Sequence, residues 1–199
     1  MIIKKLAYIT ISYWEKNKII DPQLKSIYQY GVELLISSLI SILLVLISGI
    51  VFFSILDSVL FLVVFIPIRL FSGGYHANTY LACNISMLFT FCGTALCSKI
   101  IPLSMHGICV VSIICLVVFL FLCPVDNKHK PISQTQKKKC KVISLTLLII
   151  TIIICCLFYL VNMTYYNTIL FTVVAITILV PIGKIKNYIE RGNENEKNC

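Results

Sequence analysis

Six long apolar runs, divided by short polar breaks, constrain this chain more than any other feature of its sequence. They fall at about Val32–Val51, Leu56–Ile68, Tyr80–Ser98, Gly107–Cys123, Val142–Val161 and Thr168–Gly183. A helix needs ~20 apolar residues to cross a hydrocarbon layer of ~30 Å, where every backbone polar group must be satisfied internally. The expectation is an all-α polytopic membrane protein with six transmembrane helices. Composition agrees: 59% of the 199 residues are hydrophobic and 13% are charged, against roughly 45–50% and about 25% in soluble domains. A single integral membrane domain over residues 1–199 follows, with its spans in 32–183 and no separate soluble domain. The second run is short, so its hairpin is read as tilted or partly re-entrant, with Asp57 marking the turn.

Charge placement supports the number six. The chain carries 17 Lys and Arg and a formal net charge of +9. With six spans, sixteen of those cations collect on one side, and Lys99 alone falls on the other. The positive-inside rule makes the sixteen-charge side cytoplasmic. The expected location is therefore the cell membrane, with both termini and the 184–199 tail in the cytoplasm, the tail being polar and frayed. The basic excess is read as a topology signal rather than as a nucleic-acid footprint, so no nucleic-acid partner is expected.

Residues 1–25 are too polar to span. Ile2, Ile3, Leu6, Ile9 and Tyr13 alternate with Lys4, Lys5, Lys16 and Lys18, which suits an amphipathic helix in the headgroup region. Tyr13 and Trp14 favour that depth. Asp21-Pro22 reads as a helix start, with Asp21 as N-cap and Pro22 at the first helical position. The lysines among the first twenty residues argue against a cleavable signal peptide. The ten cysteines form no zinc-type CxxC pair and mostly lie within apolar runs, where cysteine acts as a small hydrophobe. No metal site or cofactor is expected from them.

One segment carries chemistry. Arg69-Leu-Phe-Ser-Gly73-Gly74-Tyr-His76-Ala-Asn-Thr-Tyr-Leu-Ala-Cys83 joins the second run to the third. A cysteine with a histidine is the minimum for thiol-based acyl transfer. Seven residues of straight helix span ~10.5 Å, too far for the two side chains to meet. Cooperation therefore requires a bend, which Gly73 and Gly74 permit. Asn78 and Thr79 then offer N-caps for the third span. Cys83 would lie near a helix N-terminus, where the dipole stabilises a thiolate and N–H groups can receive an oxyanion. Cys83 as packing and His76 as an interfacial residue is the plainer reading of the pair. Glu33, an ionisable residue entering the first span, is a functional suspect by position. It could orient His76 or shape the oxyanion site, or it could merely reach the interface. Arg69 could bind a carboxylate or lipid phosphate, or simply end the second span. The Lys137–Lys141 cluster could attract an acidic peptide segment.

The motif Arg69-x3-Gly-Gly-x-His-x6-Cys, in a basic six-span chain of about this length, resembles the accessory gene regulator protein B (AgrB) family. The loop from Pro124 through Pro131 with its following lysines, and Tyr30-Gly-Val-Glu-Leu, are similar to that family too. The resemblance implies a membrane cysteine endopeptidase that processes a quorum-sensing pro-peptide. It makes Cys83 the nucleophile and His76 the base, with an AgrD-like precursor peptide as substrate and partner. The acyl-enzyme would pass to a cysteine or serine of the precursor and close a (thio)lactone ring. A homodimer is compatible with the resemblance. The rival reading is a small membrane transporter or exporter of a peptide without catalysis; midplane polar linings and inverted repeats, which it would favour, are not evident.

Overall fold

The structure is a computed structural model that describes residues 2–74, 79–125, 133–161 and 163–197, with side chains described as far as 189. Its elements are α-helices: α1 (Ile2–Lys16), α2 (Lys25–Phe52), α3 (Ile55–Ser72), α4 (Tyr80–Ile100), α5 (Met105–Leu122), α6 (Gln134–Leu160) and α7 (Tyr166–Lys197). Six of them, α2 to α7, are long and apolar enough to cross a membrane. The protein is thus an all-α, multi-pass bundle with an additional N-terminal helix.

Burial sorts the spans. Half of the α7 span and 44% of the α3 span are buried, against 22% for each of the other four. α7 packs against α3, α4, α5 and α6 and forms the axis of the bundle. Around it a continuous core joins Val45, Phe61, Phe65, Phe91, Phe119, Leu148, Val173, Ile176 and Val180. Phe61 stacks on Phe65 at 4.9 Å and meets Phe91 edge-on at 5.3 Å. Such aromatic pairs contribute about 0.5–1.5 kcal/mol each beyond the area they bury. The outward faces remain apolar: Phe89 and Phe121 are about four-fifths exposed within the protein, as lipid-facing side chains should be.

α1 lies against the start of α2. Ala7, Ile11, Ile20 and Val32 are buried together, with Trp14 and Ile36 packed on them. An ion pair between Lys25 and Glu15 (2.5 Å) adds to this contact, although both side chains are about one-third exposed. A second stripe, Leu6, Ile9 and Tyr13, faces outward.

Four expectations are corrected. The turn of the first hairpin lies at Phe53–Ser54, where the Ser54 side chain caps α3 by accepting from Leu56 N–H (3.3 Å). Asp57 is inside α3 and 5% exposed, and it accepts a hydrogen bond from Thr168 Oγ1 at 2.7 Å. The second span is an ordinary helix of 18 residues rather than a re-entrant element, because it continues past Ile68 to Ser72. Asp21 does cap locally, accepting from Gln23 N–H at 2.9 Å, but what it starts is the single 3-10 turn Pro22–Leu24, and α2 begins at Lys25. The tail is not frayed: α7 continues to Lys197, far past the apolar run.

Candidate active site

The break between α3 and α4 is built from two glycines. Gly73 has φ 69° and ψ −149°, and Gly74 has φ 116°. The Gly73 conformation is essentially closed to residues with a Cβ. Both positions are also crowded. A Cβ on Gly73 would run into the Val125 carbonyl, and one on Gly74 into the Arg69 guanidinium, with the Leu179 carbonyl 3.1 Å away. The chain after α5 is tied down here as well: Val125 N–H donates to the Ser72 carbonyl at 2.9 Å. The two glycines thus let α3, α7 and the α5–α6 connection converge on one point.

Thr79 caps α4, its Oγ1 accepting from Ala82 N–H at 3.2 Å. Cys83 follows in the first turn, free and exposed. Its own N–H already donates to the Thr79 carbonyl at 3.0 Å. Two of the N–H groups on which an oxyanion reading could draw are therefore committed within the helix. The Arg69 guanidinium lies within electrostatic reach of the Cys83 and Cys123 sulfurs. Cys123, just beyond α5, is buried, and that burial pushes its thiol up to about 12.

Of the predicted site residues, Cys83, Arg69, Gly73 and Gly74 meet at this end of the bundle. Glu33 also lies there, but its partners are Tyr80 Oη (2.8 Å) and Gln29 Nε2 (3.2 Å). His76 lies outside the described residues, as do Asn78 and the loop 126–132. Sequence reasoning missed Tyr80 and Asn84. Asn84 is buried and its amide hydrogen-bonds with Ser37 Oγ (3.0 Å) and Ser41 Oγ (2.7 Å). A signal existed: Tyr80 and Asn84 are polar residues one turn apart, as are Glu33, Ser37 and Ser41.

Two cavities flank this frame. An apolar crevice of about 320 Å³, lined by Leu122, Pro181, Lys184, Ile185 and Tyr188, opens at the Cys83 end. A polar one of about 340 Å³ lies at the far end, beside Asp57, Ser98, Lys99 and Asn167. Asp57 there is engaged with Thr168 at the start of α7, and Lys99 sits 5.1 Å over the Phe53 ring. Both groups hold helix ends together.

Comparison with known proteins decides the family. The model of Accessory gene regulator B matches residues 7–180. The chain belongs to the AgrB family. It is 36% identical over 127 residues to AgrB-like protein 2 of Clostridium perfringens (strain 13 / Type A), a match covering 60% of this chain and 59% of that protein. A second AgrB-like protein, from Clostridium perfringens (strain SM101 / Type A), is 34% identical over the same lengths. The match thus spans about three-fifths of these curated relatives. No solved structure matches.

Proposed function

We propose that this AgrB-family protein is a membrane cysteine endopeptidase that cleaves an AgrD-like quorum-sensing pro-peptide at the cytoplasmic face of the cell membrane. The observation that carries the reading is the placement of Cys83: an exposed thiol in the first turn of α4, beside a Gly-Gly break and within the field of Arg69. In this reading His76 takes the Cys83 proton. The sulfur attacks a carbonyl carbon near the precursor's C-terminus, and the tetrahedral oxyanion collapses to a thioester. The C–N bond breaks, and the released amine leaves with the proton returned by His76. A thiol of the precursor then attacks the thioester carbonyl, which closes the thiolactone and restores the Cys83 thiol; a serine hydroxyl would give the lactone. Exchanging one thioester for another is nearly isoenergetic, and a poorly hydrated site limits competing hydrolysis. Arg69 lies within electrostatic reach of the Cys83 sulfur.

The test is cleavage of a synthetic AgrD-like precursor by the full chain in proteoliposomes. Cys83→Ala and His76→Ala are expected to abolish cleavage while inserting normally, and the wild type should yield an acyl adduct on Cys83 by mass spectrometry. Cleavage that persists in Cys83→Ala overturns Cys83 as the nucleophile, and a wild type that leaves the precursor intact returns the protein to transport without catalysis.

A further inference from the structure

α2 and α4 run in the same direction, and their polar residues meet in register. Tyr80 Oη donates to Glu33 Oε2 at 2.8 Å. One turn further along both helices, the Asn84 amide meets the hydroxyls of Ser37 and Ser41 at 3.0 and 2.7 Å. With its nitrogen turned toward α2, that amide also donates to the Ser37 and Tyr80 carbonyls at 3.3 and 3.2 Å. Glu33 and Asn84 are both buried, so neither side chain has water to fall back on if its partner is lost. Sliding α4 by one turn, about 5.4 Å, or rotating it by one residue, about 100°, would break every one of these contacts between α2 and α4.

Cys83 is three residues after Tyr80 and one before Asn84, so it projects about 60–100° round the helix from both. The rotation that seats Tyr80 and Asn84 on α2 therefore fixes where the thiol points, which is the flank within reach of Arg69 on α3. Asn84 holds the second turn of the helix. The first turn, which carries the thiol and adjoins the Gly-Gly break, is held to α2 by the Tyr80 hydroxyl. We propose that Tyr80 is a positioning residue for Cys83, its hydrogen bond to Glu33 fixing the rotation of the first turn of α4 and so the direction in which the thiol is presented. This rests on the reading of Cys83 as the nucleophile.

Four variants of the full chain test it in proteoliposomes: Tyr80→Phe, Glu33→Ala, Glu33→Gln and the double Tyr80→Phe/Glu33→Ala. Removing this partly buried hydrogen bond should lower kcat for precursor cleavage about tenfold with KM unchanged. That result is expected of both Tyr80→Phe and Glu33→Ala. The double variant should be no slower than either single, because both remove the same contact. Glu33→Gln, whose amide oxygen still accepts from Tyr80, should recover most of what Glu33→Ala loses. In parallel, iodoacetamide labelling of Cys83 should change in rate in Tyr80→Phe and Glu33→Ala and return toward wild type in Glu33→Gln. Wild-type kcat and labelling in Tyr80→Phe, or losses that multiply in the double variant, overturn the proposal. If Cys83→Ala still cleaves precursor, the reading of Cys83 as the nucleophile fails separately, and the labelling comparison alone decides whether Tyr80 positions the thiol.

Discussion

Replacing Gly73 by alanine perturbs the point where three parts of the chain converge. Gly73 occupies φ 69°, ψ −149°, a region in which a residue with a Cβ is strained by about 1–3 kcal/mol. The added methyl would also collide with the Val125 carbonyl. That backbone cannot retreat without giving up its hydrogen bond from Val125 N–H to Ser72, worth about 1 kcal/mol. Together these weaken the junction by about 3 kcal/mol, roughly a hundredfold in its opening equilibrium. Cys123, two residues before Val125, reports the opening. Burial pushes its thiol up to about 12, so at pH 8 roughly one molecule in ten thousand carries the reactive thiolate, whereas an exposed cysteine near 8.5 is about a quarter ionised. Site-resolved alkylation by mass spectrometry, with exposed Cys109 as internal standard, should show Cys123 labelled roughly a hundredfold faster in Gly73→Ala. Because the closed-state pKa is raised, the closed junction keeps its full stability below about 8.5 and loses it as pH rises toward 12. A Cys123 rate unchanged relative to Cys109 in folded Gly73→Ala would refute the reasoning.

The hydroxyl of Thr168 and the carboxylate of Asp57 clasp α7 to α3, so Thr168→Val should lower the thermal unfolding midpoint in detergent by an amount equivalent to about 1–3 kcal/mol, and Asp57→Asn, which still accepts, by less. Asn84→Leu leaves the Ser37 and Ser41 hydroxyls without their partner and should cost about 1 kcal/mol by the same measurement, since hydrogen bonds between membrane helices are individually modest. Along α1, Ile11→Ala should release the helix from α2 at a cost of about 2–4 kcal/mol, whereas Glu15→Gln should cost less than about 1 kcal/mol because the Lys25 pair is exposed. The emission of Trp14, the chain's single tryptophan, reads both: it shifts to the red in the first variant and stays in place in the second.

The spans were legible because each apolar run is long and the cations collect between alternate runs. The Gly73-Gly74 break and the Thr79 cap could likewise be read from residue type. Asp57 misled because aspartate favours turns, and nothing local reveals a partner 111 positions away. Glu33 stood out by its charge at the entry to a span, yet its pairing with Tyr80 depends on how α2 and α4 lie side by side, which no single run records. The tail was misjudged for another reason: a helix already nucleated by packing propagates at little cost, so α7 outlasts its apolar stripe. Cys123 looked like one more small hydrophobe until the fold set it beside Arg69 and the Val125 junction.

The outward stripe of α1 has a mechanical consequence. Leu6, Ile9 and Tyr13 invite lipid on one flank while Ala7, Ile11 and Trp14 grip α2 on another, so the helix acts as a float fastened to the bundle's rim. A helix fastened this way ties the start of α2, and through the Glu33–Tyr80 contact the first turn of α4, to whatever apolar surface its outward stripe meets. The level at which that turn sits would then be a property carried by the protein itself rather than conferred by its surroundings.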